Sequence, residues 1–472
     1  MLTPKHSLTL SLLFLLGCVT PFDTFCQGQA FTMEEAFTYA ETHASAVRVA
    51  QADLAEADGQ IKETTAIGVP KINGSVGYQH FPQIPQQLFP DFITPSVYGV
   101  LVNEGVENGD GMRVVAPAPS NVFTPVTFGL KNSLSAGVEA SALLFDATFF
   151  IALRGAKLYR SLAVKTLDQT KYQTHSKVAK AYLATLIAQR NLEILQKNVD
   201  NLETTLSETT ALYDEGFAEK LSVDRLQLAL NNLSAQREAI LQVIQISENV
   251  LKFQMGYPIG DPVQLTTSLD EALGTARVDE LTGLSNFSPS QRPEYATLQA
   301  ADSLNMIDLK RIKTGYYPSL VAFGSHNRQL QRNDLFDSNE NPWIPTTVVG
   351  VTLNVPIFDG FTKRAQKERA LARSEKTRVQ IQEFEQGARL ALANAEASVR
   401  NARLNVELRE NSIELAEEIY RVAQIKFREG VGSSLEVNSA QSELYQAQDA
   451  LTNALYDLAV AYVDYEDAIG EL

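Results

Sequence analysis

The chain has 472 residues, of which 44% are hydrophobic and 20% charged, and its formal net charge is −16. That balance excludes a nucleic-acid surface, which needs clustered Lys and Arg, and no basic tract occurs. The only cysteines, Cys18 and Cys26, leave no disulfide framework for a mature domain.

The N-terminus reads as a secretion signal of about residues 1–26. Lys5 and His6 precede an apolar run from Leu8 to Val19, too short to span a bilayer as a stable helix. Two processing routes stay open. Leu15-Leu16-Gly17-Cys18 resembles a lipoprotein site that would leave Cys18 acylated, whereas ordinary cleavage falls between Thr24 and Ala30. Beyond residue 30 no apolar run reaches 18 residues, so any membrane crossing must do without transmembrane helices.

Residues 32–67 carry a helical pattern, with Thr32 as cap and Glu34 and Glu35 in the first turn. After Gly68 and Pro70 the period drops to 2. Over 71–80, Ile72, Val76 and Tyr78 share one face, and Lys71, Asn73 and Ser75 the other. The Pro-rich stretch 81–127 reads as a long exposed loop. A second strand, 128–144, places Leu130, Leu134, Ala136, Val138 and Ala140 opposite Lys131, Ser133, Ser135, Glu139 and Ser141. Asn132 is the one polar intrusion on its apolar side. Helices follow over 147–214 and 222–255. The first would be about 100 Å long if continuous, and such lengths imply coiled-coil-like packing. A connector with a short helical candidate at 268–273 completes a first structural repeat, 31–289.

The second repeat, 290–472, replays the plan with a helix to about 314, strands at 317–326 and 346–358, and helices at 361–428 and 433–468. In its clearest strand Val349, Val351, Leu353, Val355 and Ile357 alternate with Gly350, Thr352, Asn354 and Pro356. Phe145-Asp146-Ala147 answers Phe358-Asp359-Gly360. Gly216 follows Phe145 by 71 residues, and Gly430 follows Phe358 by 72. Leu221-Ser222-Val223 answers Leu435-Glu436-Val437. So long a period marks a duplicated half-molecule rather than a solenoid. At the strand-to-helix junctions (Phe145, Asp146, Phe358, Asp359, Gly360) both aspartates stand where an N-cap is wanted, a structural role. Gly216 and Gly430 permit tight reversals between antiparallel helices, with Leu221 and Leu435 as apolar knobs.

Four amphipathic strands cannot close a barrel, and an open edge in lipid would leave backbone groups unpaired. A barrel must therefore be shared between chains, and three chains would supply twelve strands. The polar face (Lys131, Ser133, Glu139, Thr352, Asn354) would line water. Trp343, Tyr78 and Phe81 are candidates for an aromatic girdle.

The order helix, strand, strand, helix–turn–helix, occurring twice, resembles the TolC-like outer-membrane efflux proteins. So do Phe-Asp-Gly at 358–360, the Tyr/Phe-x-x-Gly-x-x-x-x-Leu elements at 213–221 and 427–435, and Leu-x-x-x-Met-Gly at 251–256. The resemblance covers 31–470. It implies a mixed α and β membrane fold, a homotrimeric 12-stranded β-barrel with four strands per chain, continuing into a long periplasmic α-helical barrel. It also implies a passive exit duct in outer-membrane lipid, served by a periplasmic adaptor and an inner-membrane pump of the RND or ABC type. In the family the hairpin tips meet the adaptor; here these are Gly216, Leu221, Ser222, Gly430 and Leu435. Acidic residues just past the second tip form the periplasmic aperture. Glu436 matches the first such position, while Ser439 stands where another acid often lies. Asp214, Glu215 and Glu429 lie near the tips and share the acidic character.

Enzyme motifs are lacking: no HExxH, GxSxG, Walker or CxxC pattern occurs, and nothing calls for a cofactor or metal. Asp334, Asp337, Asn339, Glu340 and Asn341 lack EF-hand spacing and read as a polar loop. A periplasmic coiled-coil scaffold or adaptor that never spans a membrane would explain the long helices. It would not explain strands with an outward row of Val349, Val351, Leu353 and Val355.

Overall fold

The computed structural model describes residues 29–91, 93–118, 123–269, 271–272, 287–337 and 342–471. The signal segment with Cys18 and Cys26, most of the connector, and Asn339, Glu340 and Asn341 lie outside the described residues. In chain order the elements are β1 (Gln29–Phe31), α1 (Met33–His43), α2 (Ser45–Ala66), β2 (Lys71–His80), β3 (Gln86–Pro90), α3 (Ile93–Asn103), β4 (Phe123–Thr127) and β5 (Asn132–Asp146). There follow α4 (Ala147–Asp214), α5 (Lys220–Met255), β6 (Val263–Leu265), α6 (Pro293–Thr314), β7 (Ser319–Arg332), β8 (Ile344–Asn354), α7 (Thr362–Arg428) and α8 (Ser434–Ile469).

Residue contacts divide the chain into two compact units that cut across the repeats of 31–289 and 290–472. One comprises the described parts of Met1–Leu54, Ala163–Leu298 and Gln380–Leu472; the other comprises Ala55–Leu162 and Gln299–Val379. The first unit is mainly helical, with the short strands β1 and β6 paired in parallel. Its largest core packs Leu183 and Ile187 of α4 against Leu392 and Val399 of α7 and Leu458 and Tyr462 of α8. A second core joins Phe31, Ala40 and Val47 to Tyr182 of α4 and to Leu251 and Met255 of α5. There the Tyr182 hydroxyl donates to the Phe31 carbonyl at 2.9 Å, so its buried oxygen is satisfied. The expected single helix over 32–67 is two helices. They part at Ala44, where Gly256 (φ +74°) packs so close that a Cβ on it would lie 2.2 Å from the His43 carbonyl oxygen. Alanine periodicity runs through the break, so the interruption left no sign in the local pattern.

The second unit holds an antiparallel four-stranded sheet in the order β2–β5–β7–β8. Register assigns the faces. Ile72, Val76 and Tyr78 lie opposite Ala140, Ala136 and Leu134, and Ala322 and Gly324 lie opposite Val351 and Val349. This apolar face is uncovered: Ile72 is 73% exposed, Val76 79% and Val349 82%. The other face carries Asn73, Ser75, Glu139, Ser325 and Asn327. β2 and β8 are the sheet's edges within the chain.

Three strands differ from the sequence expectation at their ends. β5 begins at Asn132 rather than 128 and runs through Asp146. β7 begins at Ser319, after Pro318, and extends to Arg332 because β5 pairs with it that far, Asn132 opposite Arg332. The polar run from Asn327 to Arg332 shows no alternation. β8 stops at Asn354, where its partner β7 begins, and Pro356 lacks the N–H to continue a ladder. Within the presumed loop 81–127, β3 pairs with β4 and α3 lies between them. Asn132 proves to be a hub rather than a blemish. Its Oδ1 accepts from Tyr78 Oη at 2.8 Å and lies 2.7 Å from His80 Nδ1, while its Nδ2 donates to the Asn333 carbonyl at 2.7 Å.

Candidate functional site

Both helical hairpins of the first unit end by the same chemistry. At the α4–α5 tip Gly216 has φ +80°; its N–H donates to the Tyr213 carbonyl at 2.9 Å, and the Phe217 N–H to the Leu212 carbonyl at 2.8 Å. At the α7–α8 tip Gly430 has φ +73°, and the equivalent bonds run Gly430 to Phe427 at 3.1 Å and Val431 to Lys426 at 3.0 Å. These are paired Schellman closures, which satisfy carbonyls the helix end would otherwise leave bare. Such a closure favours an apolar residue just after the glycine. Here those residues are Phe217, 81% exposed, and Val431, 79% exposed. Together with the exposed Leu221 and Leu435 they give each tip two apolar projections. The sequence reading missed Phe217 and Val431, although their place next to glycine in the closure marks them.

The tips are linked. Ser434 is buried, and its hydroxyl donates to the Ser222 hydroxyl at 2.9 Å across 212 residues of sequence. Ser433 is the N-cap of α8 and accepts from the Glu436 N–H at 3.3 Å. From there α8 presents two stripes. Val437, Ala440 and Leu444 pack on Ala416, Tyr420 and Ala423 of α7. Glu436 and Ser439 are exposed, and both line a shallow groove with Leu435, Glu443, Ile419 and Lys426. Glu443 stands two turns beyond Glu436, so the stripe carries a second acid although Ser439 is not one. Deeper along α8, the Gln441 side chain donates to the Asn198 carbonyl at 3.2 Å, and the Asn198 amide donates to Gln448 at 2.8 Å.

The junction residues show why aspartate stands there. Asp146 Oδ1 accepts from the N–H groups of Thr148 at 2.6 Å and Phe149 at 3.3 Å, a cap on α4. Asp359 Oδ2 accepts from the Lys363 N–H at 3.0 Å and pairs with its Nζ at 3.3 Å; that backbone bond, then the lysine, holds its carboxyl below the usual range. Phe145 and Phe358 are both exposed. Gly360 (φ +64°) is followed by Phe361 at φ +65°, a left-handed conformation uncommon for an aromatic residue.

No helix among the described residues is long and apolar enough to cross a membrane. No group of three or more His, Cys, Asp or Glu side chains among them is placed to hold a metal ion.

Residues 299–471 match the family model described as "Outer membrane efflux protein". The chain is 25% identical over 350 residues to the pyoverdine export outer membrane protein OpmQ of Pseudomonas aeruginosa, covering 72% of this chain and 70% of that protein. It is 23% identical over 345 residues to the outer membrane protein TolC of Vibrio cholerae, covering 72% and 77%. Among solved structures, the outer membrane protein VceC of Vibrio cholerae superposes with a TM-score of 0.63 at 17% identity, over 93% of this chain and 96% of that one. The matched proteins are channel and export components rather than enzymes. The duplicated tips, the four-stranded sheet and these matches make the chain similar to the TolC-like outer membrane efflux proteins, located in the outer membrane with a large periplasmic portion.

Proposed function

We propose that the chain forms, as a homotrimer, the passive exit duct of a tripartite efflux or type I secretion system. The observation that carries this reading is the four-stranded sheet, whose apolar face is bare and whose two edge strands, β2 and β8, have no further partner within the described chain. In lipid each unpaired edge group costs several kcal/mol. Closure therefore requires β2 of one copy to meet β8 of another, and three copies give twelve strands, more than the roughly eight whose interior side chains fill and fewer than the roughly 16 that leave a wide aqueous channel. The polar face with Glu139, Asn73 and Asn327 then lines water.

The tips and the aperture belong to the helical unit. The apolar projections of Phe217, Leu221, Val431 and Leu435 are the surface offered to a periplasmic adaptor. Glu436, repeated by symmetry, gathers like charges at the entrance and favours cations. The chain itself supplies no energy; an inner-membrane pump of the RND or ABC type does. Gating is a relative shift of the α4–α5 and α7–α8 hairpins that breaks the Ser434–Ser222 bond.

The test is extraction and mass. The chain should sediment with outer membranes, resist release by salt or urea, and appear after detergent extraction at three times the mature mass by native mass spectrometry. Release by salt alone as a monomer would favour the scaffold reading.

A further inference from the structure

We infer that Arg328, with His326 and Trp343, forms a binding site for the phosphate of an anionic outer-membrane lipid on the outer face of the sheet; this rests on the barrel reading above. Arg328 lies opposite Ala136 on β5 and Pro345 on β8, and His326 opposite Val138 and Thr347. Both therefore share the face of Ile72, Val76 and Val349, the side that meets lipid. They line one hollow with Gly74, Val76, Val138 and Trp343, and no atom stands within 4 Å of where a Cβ on Gly74 would be. His326 Nδ1 lies 2.8 Å from Thr347 Oγ1. The Arg328 side chain is exposed and makes no ion pair or hydrogen bond among the described residues.

A guanidinium on a lipid-facing surface needs a counter-charge. None of the described residues on that face of β2, β5, β7 or β8 is acidic. The acids within the paired strands, Glu139 and Asp146, lie on the opposite face, Glu139 across from Asn73 and Ser325 and Asp146 across from Ser319. A second copy pairing at the edges brings the same strands and so no carboxylate either. Height along the strand selects the partner. From Leu320 to Arg328 is about 26 Å at 3.3 Å per residue, or about 20 Å of height on a strand tilted by about 40°. The apolar band of such a barrel is about 25 Å tall, so Arg328 sits just below its far boundary. An arginine there reaches the headgroup layer by extending its stem. Its planar fork suits a phosphate held by two parallel hydrogen bonds. Trp343 and Tyr78 on the same side are residue types that mark the interface.

Trp343 is the sole tryptophan of the chain, which makes the site its own reporter. The protein would be placed in phosphatidylcholine nanodiscs with brominated acyl chains, with or without bis-phosphorylated lipid A. After gentle detergent transfer, retained lipid A would be counted by native mass spectrometry. The wild-type protein should show bromolipid quenching of Trp343 and retain bis-phosphorylated lipid A about tenfold better than its dephosphorylated form. Arg328→Gln should remain quenched and lose that preference, and Arg328→Lys should keep part of it. Quenching with equal retention of both lipid forms by the wild-type protein would overturn the site and leave the barrel standing, and this arm requires no variant to fold. Trp343 unquenched in the wild type would overturn both.

Discussion

The Ser434 hydroxyl donates to Ser222 Oγ at 2.9 Å, joining the start of α8 to the first turn of α5 across the two halves of the duplication. Ser434 is 5% exposed, so the bond is shielded from competing water. A neutral hydrogen bond of this kind contributes about 0.5–1.5 kcal/mol net. Ser434→Ala should raise the open probability of the reconstituted channel roughly two- to tenfold. Ser222→Ala should do the same, and the double variant should add little, because both remove one bond. Additive effects of the two changes would show that the pair does not hold the tips together.

Phe217 and Val431 protrude from the tips with almost no packing to lose. Phe217→Ser and Val431→Ser should therefore leave the unfolding free energy within the scatter expected of surface changes, about 0.5 kcal/mol. Site-specific cross-linking to a co-expressed adaptor should nevertheless fall several-fold. Undiminished cross-linking would remove these residues from the docking surface. Gly216→Ala differs in kind: at φ +80° it should cost about 1 kcal/mol through the backbone, visible in thermal unfolding.

At the second junction Phe361 holds φ +65° while its ring meets Phe358 edge-on at 5.4 Å. The left-handed backbone costs about 1–2 kcal/mol, and the aromatic pair returns about 0.5–1.5 kcal/mol. Phe361→Ala should destabilise, losing the ring and keeping the strain. Phe361→Gly should come out about 1 kcal/mol more stable than Phe361→Ala, as read from denaturant midpoints. Equal stability of the two would refute the strain.

These particulars show what the sequence made legible. Alternation exposed the strands wherever one face was apolar, as from Val349 to Leu353. It failed over Asn327 to Arg332, where strand identity comes from the neighbour β5 rather than from pattern. Asp146 and Asp359 were legible as caps because capping is local chemistry. The break at Ala44 was not, because what packs against it, Gly256, is more than two hundred residues away. At the tips Gly216 and Gly430 stood out by spacing, whereas Ser434 pairs with Ser222 through tertiary contact alone. Glu443 lies on the same stripe as Glu436 and Ser439, one turn beyond the second position that the family pattern marks.

Glu41 offers a test by pH. Its carboxylate accepts from Lys171 Nζ at 2.8 Å and lies 3.0 Å from His175 Nε2, and the lysine bond leads in holding its pKa below the ordinary glutamate range. A folded pKa below the unfolded one means stabilisation that is full above the unfolded value, about 4.3, and fades as pH falls through the folded value. Glu41→Gln should therefore melt lower than wild type at pH 7 and converge with it as the pH falls through the folded value. A gap that persists unchanged once the carboxyl is protonated would assign the effect to packing rather than charge.

The central claim is that this chain forms a cation-favouring duct whose entrance is set by Glu436. Single-channel recording of the detergent-purified protein in a planar bilayer tests it most directly. The wild-type protein should give discrete cation-selective steps, and Glu436→Ala should reduce that selectivity and enlarge the conductance. Glu443→Ala should do so more weakly, two turns further from the tip. Steps without ion preference and indifferent to Glu436→Ala would contradict the aperture. The absence of any steps, together with release of the chain from membranes by salt alone, would contradict the duct.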